Sequence, residues 1–338
     1  MQRWLKGTIR KNEFYIFVTI IIIGILIQIR SGQFFTANNF VDLANAMIVP
    51  GLFALGAFLV IVSGGIDVSF PALASLSVFV TTKVLLGMNY TGSILVPILM
   101  VAAVGVAFGS LNGFIIAKFG FPAFVVTLGT QSVFRGILQG ALNAVTIYKL
   151  PDSMNNFGDA SIFSVQNPVS GLISKMPLSF IVLVAAVIII FWLLRYTMFG
   201  RGIYAIGGNE SSAQRAGFNV FRIKFSVYII TGLLASVTGL IRTCQIGQFQ
   251  TTNLFGMEMT IIASVVLGGT AITGGKGSIT GALLGTFLIV LVQNSLILLG
   301  VSTTWQGLFL GVLIIIGTGI SALQVDRANN KIVGLKDV

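Results

Sequence analysis

GSITGALLGTFLIVLVQNSLILLGVSTTWQGLFLGVLIIIGTGISALQV, residues Gly277 to Val325, runs for 49 positions without a charge between Lys276 and Asp326. A hydrocarbon core about 30 Å thick takes roughly 20 helical residues per crossing, so this stretch holds two crossings. Its middle carries the required break, at Gly300 to Ser302. The rest of the chain repeats the pattern. Only 20 Lys+Arg and 9 Asp+Glu occur in 338 residues, mean hydropathy is +0.98, and 55% of the residues are hydrophobic. These values describe an all-α, polytopic membrane helix bundle and not a soluble domain. The net charge of +11 then reads as cations retained on one side of a bilayer, not as a nucleic-acid surface. With no His and a single Cys, Cys244, the chain excludes intramolecular disulfides, His-based triads and the usual His/Cys zinc sites.

The apolar blocks place about ten spans, at 14–29, 40–63, 66–86, 93–117, 121–142, 178–194, 224–242, 259–275, 279–299 and 303–322. An even number puts both termini on one side. That side collects fourteen cations: Arg3, Lys6, Arg10, Lys11, Lys118, Arg195, Arg201, Arg215, Arg222, Lys224, Lys276, Arg327, Lys331 and Lys336. The opposite side collects five, Arg30, Lys83, Lys149, Lys175 and Arg242, and Arg135 alone lies inside a span. The positive-inside rule makes both termini cytoplasmic. The first span reads as retained, because Gln28-Ile29-Arg30-Ser31 offers no small-residue cleavage site. The whole chain, 1–338, is one transmembrane domain with an external loop at 143–177 and a basic internal loop at 195–223. If spans 2–5 and 7–10 are structural repeats, parity inverts one relative to the other.

Glycines recur every four residues at Gly105/Gly109/Gly113, Gly136/Gly140, Gly281/Gly285 and Gly307/Gly311. Such faces let helix backbones approach closely, either for packing alone or for a bundle that rocks. Pro50-Gly51, Pro71, Pro97 and the run Gly268 to Gly277 read as interruptions of spans, which are tolerated only inside protein or beside a water-filled cavity. The run resembles a phosphate loop but fails the pattern: Thr270 stands where the first glycine belongs, and Gly277 where the hydroxyl residue belongs. No cofactor is expected on this chain.

Polar residues inside spans form the candidate lining of a solute pathway: Asn112, Thr127, Gln131, Arg135, Asn294 and Gln306. Thr127, Gln131 and Arg135 stack at four-residue spacing. An arginine in a span faces the bundle interior, where it either contacts solute or holds backbone carbonyls at a helix break. Amides and hydroxyls suit a neutral polyhydroxylated solute better than an ion. Asp42 and Asp67 sit near span starts and Glu258 just before one, so the interiors lack the carboxylates of a proton relay. In the internal loop, Asn209 is a cap for a short helix with Glu210 in its first turn and Gly217 as terminator. Such a helix suits docking in a partner's groove; an ordinary connecting loop is the alternative.

Several segments together resemble the permease subunits of bacterial ABC importers for ribose and related monosaccharides, within the group that includes branched-chain amino acid permeases. They are Gly64-Gly65-Ile66-Asp67-Val68-Ser69, Leu111-Asn112-Gly113, Phe121 to Thr130 with Arg135-Gly136, Phe199-Gly200-Arg201, Tyr204 to Glu210, Ala216 to Val220, and Val265 to Thr270 with Gly274-Gly275. Two departures are Phe70-Pro71, where the family has a small residue and Gly, and Thr260, where an Asp is frequent. The resemblance implies a homodimer in the bacterial inner membrane and two ATP-binding cassette subunits, or one duplicated ATPase, that use the ATP. It also implies an extracytoplasmic sugar-binding protein. It assigns ATPase coupling to Asn209, Glu210, Ala213, Arg215, Ala216 and Gly217. The alternatives are a branched-chain amino acid permease and an ion-coupled secondary carrier. A membrane enzyme finds no catalytic set.

Overall fold

The computed structural model describes residues 12–167 and 171–312, with positions 315 and 319. Its long helices are α1 (Asn12–Ser31), α2 (Ala37–Val62), α3 (Phe70–Gly87), α4 (Leu95–Phe119) and α5 (Ala123–Gly136), the last extended by a π turn at Ile137–Ala141. After the short α6 (Asp152–Asp159) and an antiparallel hairpin, β1 (Ser161–Gln166) with β2 (Ile173–Pro177), come α7 (Ser179–Tyr196), α8 (Met198–Gly208) and α9 (Glu210–Arg215). The chain continues through α10 (Val220–Ile246), α11 (Met257–Leu267), α12 (Ile279–Leu298) and a helical segment at 306–312. Among the described residues, seven helices are long and apolar enough to cross a bilayer: α1, α2, α3, α4, α7, α10 and α12.

The differences from the ten-span expectation are local. Span 5 appears as α5 plus its π turn. Span 8 is half a helix: α11 stops at Leu267, and Gly269, Gly274, Gly275 and Gly277 all take positive φ in the link that follows. These left-handed backbones turn the chain back before a full crossing is made. Only part of span 10 lies within the described residues. So do only seven of the fourteen cations assigned to the basic side; Arg3, Lys6, Arg10, Lys11, Arg327, Lys331 and Lys336 lie outside them. Pro50 and Pro97 do not interrupt anything. Pro50 sits within a continuous α2, and Pro97 in the first turn of α4, where its missing N–H costs no bond.

α2 is the central post, buried on every face from Gly51 to Val62. It runs antiparallel to α10, with Asn45 near Gln245 and Gly56 against Thr231. α4 also lies antiparallel along α10. A Cβ added at Gly105 would come within 2.5 Å of the Gly232 carbonyl oxygen, one at Gly109 within 2.5 Å of the Tyr228 oxygen, and one at Gly113 within 2.9 Å of the Phe225 oxygen. This glycine face is therefore a backbone-to-backbone helix crossing. α12 packs in the same sense along α2, joining Asn294 to Asn39 at one end and bringing Gly277 to Phe58 at the other. α3 lies beside α10 and α11 beside α2, so the second and third helices of each four-helix group both pack on the first helix of the other.

Candidate functional site

Gly120, at φ +68°, ends α4, and Pro122 starts α5 in the reverse direction. One face of α5 then meets two other elements. Near its start, Thr127 grips the unwound segment between α2 and α3: its Oγ1 accepts from the Val68 N–H at 3.2 Å and lies 3.2 Å from the Ile66 carbonyl oxygen, to which it can donate. Asn112 on α4 supports the same segment, donating from Nδ2 to Ser69 Oγ at 2.9 Å. Ser69 in turn donates from its N–H and its hydroxyl to Asp67 Oδ1, both at 2.7 Å. The Asp67 carboxylate thus sits at the start of α3, where unpaired helix N–H groups favour negative charge.

One and two turns further along α5, Gln131 and Arg135 converge on Glu258 in the first turn of α11. Gln131 Nε2 donates to Glu258 Oε1 at 2.9 Å and Arg135 Nη2 to the same oxygen at 3.1 Å. Glu258 Oε2 accepts the Gly256 N–H at 3.0 Å. The guanidinium lies 4.4 Å from the centre of the Phe255 ring, a cation–π contact. Glu258 is 10% exposed and Arg135 34%, so the pair borders an accessible space without lying open to it. Arg135, the cation that the sequence reading set inside a span, is neutralised by a carboxylate from another helix. Sequence reading missed this pairing because Glu258 stands 123 positions away and just outside its span.

Four of the six pathway candidates, Asn112, Thr127, Gln131 and Arg135, therefore gather around α5. Asn294 does not join them. It faces Asn39 at the far end of α2, about 37 Å of helix from Gly64. Gln306 is half-buried in the 306–312 segment. The polar groups that α5 leaves outward are Ser132 and Gln139.

The internal loop is structured. Asn209 caps α9, accepting the Ser212 N–H at 2.8 Å, and Gly217 closes the turn at φ +89°. Glu210 pairs with Lys224 at 2.6 Å, tying the loop to the start of α10, and Arg215 donates to Ser212 at 3.0 Å. Asn209, Glu210, Arg215, Ala216 and Gly217 are exposed, as is Gln214. Ala213 is not; at 3% exposure it packs inward against the chain's own core. Of the residues assigned to ATPase coupling, Ala213 is thus the one turned inward, since a six-residue helix must bury one face to be held at all.

A family profile described as the permease component of the branched-chain amino acid transport system matches residues 39–317, most of the chain. The chain belongs to this permease family. Among its curated relatives, the ribose import permease of Escherichia coli K12 is 34% identical over 300 residues, 88% of this chain and 90% of that protein. The ribose import permease of Bacillus subtilis is 34% identical over 312 residues, covering 92% and 91%. The D-allose transport system permease of E. coli K12 is 33% identical over 316 residues, covering 93% and 91%. No solved structure matches. A permease component is a transport subunit and not an enzyme, it carries no cofactor of its own, and its place is the inner membrane.

Proposed function

We propose that this permease forms the membrane pathway of an ATP-driven importer for a monosaccharide, ribose or a close analogue. The observation that carries the choice of solute is the neutralised stripe on α5. With Arg135 bound to Glu258, the lining offers amides, hydroxyls and a balanced ion pair. That surface suits a neutral polyol, whereas a zwitterionic amino acid would call for separate fixed charges. The relatives named for ribose and allose import support the same choice.

Two copies would enclose the pathway. α5 turns Gly129, Ser132, Gly136, Gln139 and Gly140 outward, and no atom lies within 4 Å of a Cβ built at Gly129, Gly136 or Gly140. An amide facing lipid would have no partner, so this face supports closure against a second copy. Residues 195–223 would be cytoplasmic and seat, through α9, on two ATP-binding cassette subunits or one duplicated ATPase. Residues 143–177, with α6 and the hairpin, would face outward toward a sugar-binding protein. The basic end of the bundle supports this orientation: Lys118, Arg195, Arg201, Arg215, Arg222, Lys224 and Lys276 share it, against Arg30, Lys83, Lys149, Lys175 and Arg242 at the other.

The test is uptake by proteoliposomes holding the permease with its ATPase and solute-binding protein. Ribose should accumulate with ATP and resist competition by leucine. Leucine accumulation would move the chain to amino acid import. Uptake by the permease alone on an ion gradient would make it a secondary carrier.

A further inference from the structure

Three glycine pairs far apart in sequence meet at one point. Gly64-Gly65 opens the link between α2 and α3, Gly274-Gly275 lies in the link between α11 and α12, and Gly207-Gly208 ends α8, directly before the cap of α9. The contacts are backbone on backbone. A Cβ on Gly274 would stand 2.7 Å from Gly64 Cα and 2.9 Å from the Gly207 carbonyl oxygen, and one on Gly275 would stand 2.6 Å from Gly208 Cα. A Cβ on Gly207 would clash outright with the Val62 carbonyl oxygen and stand 2.5 Å from the Gly275 nitrogen. That same Val62 oxygen accepts the Gly275 N–H at 2.9 Å. Beside the junction, Tyr204 on α8 donates its hydroxyl to the Gly277 carbonyl at 3.2 Å. Burial pushes the Tyr204 phenol above its ordinary pKa, so it remains a donor at physiological pH.

We propose that this glycine junction is the mechanical joint of the transporter, with Gly207 and Tyr204 as positioning residues that carry α9's displacement into both helix breaks at once. This rests on the reading of residues 195–223 as the ATPase-coupling segment. Side-chain contacts slide through rotamer changes, but the α8 main chain at Gly207 and Gly208 is packed directly on the main chains of two links that are hydrogen-bonded to each other, and Tyr204 ties it to the second, so α8 cannot shift without moving both links. Each link also ends on α5. The α2–α3 link holds Thr127 through Ile66 and Val68, and α11, which feeds the second link, holds Gln131 and Arg135 through Glu258. A push on α9 therefore reaches the pathway-facing helix at two heights along its length.

The readout is solute moved per ATP hydrolysed by the complete importer in proteoliposomes, with ATPase pull-down measured in parallel. Tyr204→Phe removes one hydrogen bond and no volume; it should lower the ratio by about threefold while binding-protein-stimulated hydrolysis persists. Gly207→Ala, which forces α8 off the Val62 carbonyl, should lower it further. Gly87→Ala, with no atom within 4 Å of the added Cβ, should match the wild type. An unchanged ratio in Tyr204→Phe overturns the joint, whether or not Gly207→Ala accumulates; so does an equal fall in Gly87→Ala. Loss of pull-down in Tyr204→Phe would place the residue in ATPase docking and also overturn it. Failure of the wild-type permease to bind the ATPase at all would instead remove the coupling reading beneath it.

Discussion

Replacing Arg135 and Glu258 singly and together tests whether the two residues are one unit. Removing Arg135 (Arg135→Leu) leaves Glu258, 10% exposed, with two donors, Gln131 and the Gly256 N–H. Removing Glu258 (Glu258→Leu) leaves a cation that is 34% exposed and still rests on Phe255. Exposed pairs are worth about 0.2–1 kcal/mol, and breaking a fully buried pair costs about 3–5 kcal/mol. A pair with one member a third exposed belongs between these limits, so each single variant should lose about 2 kcal/mol. The double variant should lose less than the sum of the two, by about 1.5 kcal/mol of coupling. The assay is unfolding of the purified permease in detergent, with membrane abundance and uptake recorded for the same variants. Lys83→Leu serves as a control; this lysine is exposed and lies 5.8 Å from the Phe79 ring centre, and its loss should cost within about 0.5 kcal/mol. Losses that add to within about 0.4 kcal/mol would mean the two side chains act independently, and the neutral-lining reading would fall with them.

Two further outcomes are expected. In a Cys244→Ser background, a cysteine at Ser161 should label with an impermeant reagent in intact cells and one at Ser211 should not; both positions are exposed on the folded chain, so the reverse pattern would invert the topology. Gln214→Trp, on the outward side of α9, should abolish ATPase pull-down and stimulation while leaving the permease folded, whereas Ala213→Trp should reduce the amount of folded protein because Ala213 is buried; normal stimulation in Gln214→Trp would return residues 209–217 to an inert loop.

Much of the bundle was legible because charge exclusion and helix length are properties of contiguous sequence. The long apolar blocks became helices at nearly the expected positions, and the stacked Thr127, Gln131 and Arg135 do share one face. Partners were not legible. Nothing in the sequence around Arg135 points to Glu258, and Asn112 turned out to brace a helix break where a pathway contact was expected. Pro50 misled because proline removes one hydrogen bond from a helix but does not forbid it. Packing on all sides of the following turns, Gly51 to Val62, keeps α2 continuous through the defect. The short helix α11 was read as a full span for the opposite reason. Val265, Val266 and Leu267 prolong an apolar run, while the glycines after them decide the backbone.

An inverted arrangement of the two four-helix groups would account for glycine pairs that stand at different places in the two halves. If α2 to α5 and α10 to 306–312 are equivalent groups, Gly64-Gly65 follows the first helix of its group. Gly274-Gly275 follows the second helix of the other. The symmetry mate of the α2–α3 link is the α10–α11 link at 247–256, which lies at the opposite end of the bundle, where Phe249 pairs with Ile147. Inversion carries equivalent links to opposite faces and brings inequivalent ones together on the same face. On that arrangement Gly64 and Gly274, which do meet, hold inequivalent positions, and their registers need not agree. The consequence is an asymmetry with a use. Of the two ends of the bundle, the basic one brings together the α2–α3 link, the α11–α12 link and the turn into α5, where Ala123 Cβ would stand 3.1 Å from a Cβ on Gly65. The segment α8–α9 packs at that end, so on the proposed coupling a single push there would reach three helix junctions.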